Sequence, residues 1–471
     1  MMFKLNIHKG AMLSLFVLIL SIFSGASSAQ DKPNFVVIIA DDLGYGDLGY
    51  TGSLQIKTPH IDQLAHGGVI VEQGYVSAPV CGPSRAGLMT GRNQVNFGFD
   101  NNNVKPGPQY NKDYFGLPVT EKTIANWLAP LGYVSGLMGK WHLGDEPHFK
   151  AQNRGFDEVW TYPVGGHDYF RSEPDGEGYL SPLESNFKTP QPITYLTDDT
   201  GNESVDFIRR HKDKPFFLYA SFNAPHAPLQ AKKEDIARYK HIKNEKRQIY
   251  AAMIHNLDVN VGKIIATLKE QGVYDNTVVI FLSDNGGSVA RKNPRLTNAP
   301  YRGGKGILLE GGIRVPFIVS WPGKLEAGTR YHYPITALDI LPSFVAAAGG
   351  RIEKQDNIDG VNVFPYLTME KSGNPNAKLM WRFTVSASIR EGDWKLIRLP
   401  DRLPQLYNVK LDVAEQHDVA SKHPERVNRL LKVLGQWDVS TPQHLYMEGA
   451  KYKKIQLDSY DVEYNLIQPQ E

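Results

Sequence analysis

The chain has 471 residues, 41% of them hydrophobic, a formal charge of +2 and a single cysteine. That length and apolar content support a substantial core in one large domain with room for a small one. A near-neutral charge excludes a general nucleic-acid or polyanion binder, and one cysteine excludes an intrachain disulfide.

Lys4 and Lys9 precede an apolar run from Ala11 to Phe23, which is followed by Ser24-Gly25-Ala26-Ser27-Ser28-Ala29. This pattern predicts a secretory signal peptide over 1–29, cleaved after Ala29. The run is shorter than the ~20 residues that span a bilayer, and no later stretch is apolar enough. The expectation is a periplasmic or secreted protein with no stable membrane association. Lys4 and Lys9 carry the whole formal charge, so the chain beyond them is neutral. Any positive charge that serves an anionic substrate must therefore be local.

Phe35-Val36-Val37-Ile38-Ile39-Ala40 is a continuous apolar run and predicts a strand buried on both faces of a parallel sheet. Asp41 and Asp42 follow it directly. Adjacent carboxylates repel and need a cation to be stable as a pair, unless they form a solvated turn. Pro59 opens a short helix through Ile61 and Leu64. Then comes Cys81-Gly82-Pro83-Ser84-Arg85-Ala86-Gly87-Leu88-Met89-Thr90-Gly91-Arg92, helical from about Ala86. A lone cysteine is ordinarily a small buried hydrophobe. This one lies near a helix N-terminus, which favours anions, and Arg85 adds positive charge a turn further on.

The segment 93–118 is polar and predicts a long surface loop. A helix follows at Ile124 to Leu128. A strand at Tyr133 to Met138 ends in Gly139-Lys140-Trp141-His142, with Lys140 and His142 pointing to one side. The strand Phe216 to Ala220 ends in Asn223-Ala224-Pro225-His226-Ala227-Pro228, whose prolines stiffen the loop around His226. Ile249, Met253, Leu257, Val261, Ile264, Ile265 and Leu268 form a helical core stripe, stopped by Gly272. The strand Thr277 to Leu282 runs into Asp284-Asn285. The glycines around Lys305 lack the spacing of a nucleotide loop. A strand at Phe317 to Trp321 and a helix at 338–348 complete a catalytic domain over 30–373.

From 374 to 471 the pattern changes. Val385 to Ile389, Trp394 to Arg398 and Leu406 to Tyr407 are short strands without helices between them, and Pro424 to Trp437 is a helix. The tail after Thr441 is polar and aromatic and receives no element.

Four strand ends thus carry functional groups: Asp41 and Asp42, Lys140 and His142, His226, Asp284 and Asn285. Ligands of open α/β sheets bind outside the carboxyl ends of strands, which predicts one site. The oxygen set Asp41, Asp42, Asp284 and Asn285 suits a hard divalent cation, Ca²⁺ best. Zinc prefers His or Cys.

The C-x-P-S-R pattern at Cys81, with Leu88 and Thr90-Gly91-Arg92, resembles the signature of the formylglycine-dependent sulfatases. Arg154-Gly155-Phe156-Asp157 and Gly165-Gly166-His167-Asp168-Tyr169 resemble recurrent stretches of secreted bacterial polysaccharide sulfatases. The resemblance implies an alkaline-phosphatase-like α/β/α sandwich with a large mixed sheet, plus a small C-terminal antiparallel sheet subdomain with one helix. It implies that a separate maturation enzyme oxidises Cys81 to formylglycine. It implies one Ca²⁺ held by Asp41, Asp42, Asp284, Asn285 and the modified Cys81. Arg85, Lys140 and Lys305 would hold formylglycine and neutralise sulfate, His142 would assist sulfate elimination, and His226 would protonate the leaving alcohol. The implied activity is sulfuric ester hydrolysis on a sulfated carbohydrate, such as a carrageenan-type galactan or a glycosaminoglycan. The same residues also fit a phosphonate or phosphate ester hydrolase of that superfamily, or a non-catalytic sulfated-glycan binder if Cys81 stays unmodified.

Overall fold

The computed structural model describes residues 32–102, 112–288, 296–445 and 450–464. The predicted signal peptide and part of the loop 93–118 lie outside the described residues. In chain order the strands are β1 (Asn34–Ala40), β2 (Val69–Val71), β3 (Gly74–Tyr75), β4 (Val134–Lys140), β5 (Glu158–Tyr162), β6 (Glu184–Ser185), β7 (Phe216–Ser221), β8 (Thr277–Ser283), β9 (Phe317–Ser320), β10 (Thr329–Tyr331) and β11 (Ile335–Thr336). Among the described residues the main sheet has nine strands in the order β10-β2-β9-β8-β1-β7-β4-β5-β6, and β3 pairs with β11 apart from it. The run β8-β1-β7-β4-β5 is parallel. The antiparallel pairs β8·β9, β2·β9 and β5·β6 make the sheet mixed.

Helices cover both faces, which is why β1 is apolar from Phe35 to Ala40. Phe35, Val37 and Ile39 enter one core, shared with Leu341 and Phe344 of the helix Ile340–Ala347. Val36, Ile38 and Ala40 enter the other, shared with Met253, Leu257 and Val261 of the helix Glu245–Glu270. The Phe35 and Phe344 rings stack 4.1 Å apart. Each large apolar side chain so buried stabilises the fold by roughly 1.5–3 kcal/mol. The long helix begins where the Asn244 side chain accepts from the Arg247 N–H at 3.1 Å. Gly272, with φ 71°, turns the chain out of it.

The C-terminal sheet is antiparallel in the order β12 (Lys378–Phe383), β13 (Ser386–Glu391), β14 (Trp394–Arg398), β15 (Gln405–Asn408). The helix Pro424–Ser440 sets Val427, Leu430 and Leu434 against Ala387, Ile389, Leu396 and Leu406. This is the α/β/α sandwich with a small antiparallel appendage that the resemblance implies. It departs from that expectation in two places. β12 is an added strand, and the tail holds a second helix, Ala450–Tyr464. That helix lacks an apolar stripe, so periodicity carries no sign of it. It reaches the segment between β8 and β9 through Tyr460, which packs with Ile307 and Leu309. Among the described residues no helix is long and apolar enough to cross a membrane.

Candidate active site

Strands β8, β1, β7 and β4 are consecutive neighbours and parallel. Their carboxyl ends therefore share one edge, and the four marked strand ends meet there. Asp284 N–H donates to Ala40 O at 3.0 Å and Asp41 N–H to Ala224 O at 3.1 Å, so the strand-end turns are joined to each other.

Cys81 is the first residue of the helix Cys81–Thr90, every residue of which is buried. The Asn102 side chain accepts from Gly82 N–H at 2.9 Å and fixes the start of that helix. Cys81 Sγ lies 3.4 Å from Asp41 Oδ1, and Lys305 Nζ donates to it at 3.2 Å. Burial and the Asp41 charge push the thiol well above its usual range.

Three cations face three carboxylates around the sulfur. Lys140 Nζ is 2.5 Å from Asp41 Oδ2, Lys305 Nζ is 2.8 Å from Asp42 Oδ1, and Arg85 Nε is 2.8 Å from Asp284 Oδ2. Burial would raise the Asp41 carboxyl, but Lys140, His226, Arg85 and Lys305 outweigh it and hold it below the usual range. Asp42 is lowered likewise, with Lys305 and His226 overcoming burial. At Asp284, burial and the Asp41 charge win over Arg85, and the carboxyl is pushed up to about 6. Arg85 is further fixed by Ser221, whose Oγ accepts from Nη1 at 2.6 Å and donates to Lys140 O at 2.7 Å.

His226 Nδ1 lies 2.6 Å from Ala227 O, so Nδ1 carries the hydrogen and Nε2 is the atom left for chemistry. Nε2 points at Asp42 Oδ2, 3.6 Å away. Burial lowers the imidazole, outweighing Asp41 and Asp42, and Lys305 and Lys140 act with burial. His142 is driven well below its usual range by burial and then Lys140. Among the described residues its buried Nδ1 finds no hydrogen-bond partner. Asp42 and His142 both have positive φ, 60° and 59°. Each costs of order 1–3 kcal/mol, strain of the kind that gathers at functional sites.

Gly165 and Gly166 thread between the two histidines. A Cβ on Gly165 would stand 2.8 Å from His142 Nε2, and one on Gly166 would stand 2.9 Å from His226 Nδ1. The same loop brings the half-exposed ring of Tyr179 edge-on to His226, with centroids 6.4 Å apart.

Asp41, Asp42, Cys81 and His226 offer ligand atoms within 4.8 Å of one another. The oxygen donors of a hard cation here are the Asp41 and Asp42 carboxylates and the Asn285 carbonyl beside them. Asn285 Nδ2 donates to Asp42 Oδ1 at 2.7 Å, while its buried Oδ1 finds no partner among the described residues. A buried carbonyl oxygen without a donor is costly unless something positive faces it. Asp284 sits differently: Oδ1 accepts from Asp42 N–H at 3.2 Å and Oδ2 from Arg85.

Every site residue expected from sequence thus lies at this edge. Ser221, Asn102 and Tyr179 join them without a comparable mark in the sequence. The one signal for Ser221 is a polar residue closing an apolar run. Two of the quoted stretches supply scaffolding. Arg154 donates to the carbonyls of Leu117, Pro118 and Glu121, and the His167 ring nitrogens lie 2.7 Å from the carbonyls of Asp168 and Ser181.

The family model described as Sulfatase matches residues 33–350. The chain is 34% identical over 358 residues to N-acetylgalactosamine-6-sulfatase of Homo sapiens, spanning 73% of this chain and 67% of that protein. It is 30% identical over 468 residues to arylsulfatase J of Mus musculus, spanning 88% and 77%. Among solved structures it is similar to Ps i-CgsB in complex with k-i-k-neocarrahexaose, with a TM-score of 0.82 and 36% identity, covering 92% of this chain and 99% of that one.

Proposed function

We propose that this chain, which belongs to the sulfatase family, removes sulfate from a sulfated glycan with an oxidised Cys81 as its nucleophile. The observation that carries this is the Cys81 thiol. Burial and Asp41 hold it protonated, so it is a poor nucleophile as it stands, yet Lys140, Lys305, Arg85 and His226 all converge on it or on the acids beside it. Formylglycine at this position would supply, as its hydrate, one hydroxyl to attack sulfur and a second through which sulfate is expelled. Arg85, Lys140 and Lys305 stabilise the charge of the sulfate ester and the charge that grows on its bridging oxygen. His226 Nε2 gives a proton to the leaving alcohol, and His142 assists the release of sulfate.

Asp41, Asp42, Asp284, Asn285 and the modified Cys81 would hold one Ca²⁺, which polarises the sulfuryl oxygens when bound. The protein's own site charges cancel, three against three. A divalent cation leaves the site positive, as an anionic substrate requires. Elemental analysis is expected to find one calcium per chain. Asn285→Leu is expected to lose it and to lower the melting temperature on loss of metal. Stoichiometric zinc without calcium would refute the assignment.

The substrate class is supported by Tyr179 and by the likeness to a structure in complex with k-i-k-neocarrahexaose. An exposed ring beside the proton donor is a stacking surface for a sugar. Tyr179→Ala is expected to raise KM for a sulfated oligosaccharide roughly fivefold, from about 1 kcal/mol of ring contact. An unchanged KM would remove Tyr179 from the substrate's path. A leader over 1–29 would direct the mature protein to the periplasm or outside the cell. Sulfate release from a panel of sulfated galactans and glycosaminoglycans tests the whole proposal. Hydrolysis of phosphonate esters with no sulfate released from any sulfate ester would replace it.

A further inference from the structure

We propose that the tail helix Ala450–Tyr464 positions Lys305, with Gln456 and Tyr460 gripping the backbone on which that lysine stands. This rests on the role given to Lys305 above. Lys305 sits on a glycine-rich turn, followed by Gly306 at φ 89°. Such a turn has little stiffness of its own. Its backbone is held from three sides. Gly306 N–H donates to Pro79 O at 2.9 Å, two residues before Cys81, and Lys305 N–H donates to Gly287 O at 3.2 Å, two residues after Asn285. The third side is the tail. Gln456 Nε2 donates to Gly306 O at 3.1 Å, and Leu308 N–H donates to Tyr460 Oη at 2.7 Å.

Besides Asp461, which pairs with Arg402, the side chains the helix buries are those that make this contact. Tyr460 is 0% exposed and Gln456 4%, while Ile455 is 50% exposed and Val462 40%. Its buried aromatic ring enters the cluster of Ile307, Leu309, Ile397, Leu399, Tyr407 and Val409, which joins the Lys305 turn to the C-terminal sheet. Gln456 Oε1 also accepts from Val385 N–H at 3.3 Å, tying the β12–β13 hairpin to the same turn. The Lys305 ammonium is itself anchored on Cys81 and Asp42. A shift of this turn therefore moves a cation at the reacting centre.

The test is a double-mutant cycle in the full, matured chain. Tyr460→Phe with Gln456→Leu removes both polar grips and keeps the bulk. In the wild-type background kcat/KM on an aryl sulfate is expected to fall about tenfold, the effect of one to two hydrogen bonds, and the inhibition constant for inorganic sulfate is expected to weaken with it. In a Lys305→Met background the same pair is expected to cost less than about twofold, because what it positions is gone. An equal loss in both backgrounds would mark a merely structural helix and overturn the proposal, as would an unchanged kcat/KM in the first. Should the wild-type chain release no sulfate from any ester, the function assigned to the site fails separately. Hydrogen exchange then decides the positioning: amides of 305–308 are expected to exchange about tenfold faster in the variant while Cys81–Thr90 stays protected. Unchanged exchange at 305–308 would overturn it.

Discussion

Cys81→Ala is expected to abolish turnover and leave the fold intact. The side chain is small, and it contributes its sulfur to a polar cluster rather than to either hydrophobic core. The substitution therefore costs stability little, while it removes the atom on which the site converges. Cys81→Ser separates two parts of the proposed chemistry. Its single hydroxyl can take the place of the attacking oxygen, but after attack it has no second hydroxyl through which to expel sulfate. It is expected to stop after at most one event, with a sulfate retained on the introduced serine and visible in the intact mass. Protein produced without a maturation enzyme is expected to be mostly inactive. The mass of its Cys81 peptide reports the unmodified thiol, against the aldehyde in active protein. Full activity in Cys81→Ala would sink the mechanism, and a matured, active protein with an unmodified cysteine would sink the role of formylglycine.

The architecture of this edge is legible in the sequence because burial leaves so few exceptions to read. In β1, β7 and β8 both faces are packed, so Phe35 to Ala40, Phe216 to Ala220 and Val278 to Leu282 are apolar, and the last two runs close on Ser221 and Ser283. The first polar residues after each run then mark the edge where a ligand is met. Asp41 follows its run directly, Asp284 lies one residue beyond Ser283 and His226 lies in the loop a few residues beyond Ser221, and parallel pairing of neighbouring strands brings them together. What is hidden lacks that contrast. Ser221 closes its apolar run, but the run gives it no role, which its bonds to Arg85 and Lys140 reveal. Tyr179 is a tyrosine in a polar loop until the fold lays it beside His226. β12 mixes Lys378, Met380 and Arg382 on a strand that is exposed at its start, so its alternation is faint. The tail helix is docked by a few separate side chains, Gln456, Tyr460 and Asp461, rather than by an apolar face, and period alone does not register such a contact. In sequence the oxygen set at Asp41, Asp42, Asp284 and Asn285 presents four equivalent groups. The structure divides them: Asp284 is engaged by Arg85, whereas the Asn285 carbonyl oxygen is left without a donor among the described residues.

His226→Ala is expected to reduce activity on a sulfated sugar by roughly 10²–10⁴ and on an aryl sulfate far less. A sugar alkoxide is a strong base and leaves slowly without a proton, whereas a phenolate leaves without one. The geometry selects the donor atom. Nδ1 is committed to Ala227 O, so Nε2 carries any proton that is transferred, and it lies on the side of Asp42 and Lys305 where the ester must sit. The pH dependence follows with a definite sign. Burial keeps the imidazole below its usual range in spite of Asp41 and Asp42. The protonated fraction that a general acid needs is lost as pH rises through that lowered value. On the sugar substrate kcat/KM should therefore decline from mildly acidic toward neutral pH, and this limb should be much weaker with an aryl sulfate. Lys140→Ala should impair both substrates alike, because its charge serves the sulfate whatever alcohol departs. An equal loss on both substrates in His226→Ala, with the decline toward neutral pH retained, would make His226 a binding group and place the proton donor elsewhere.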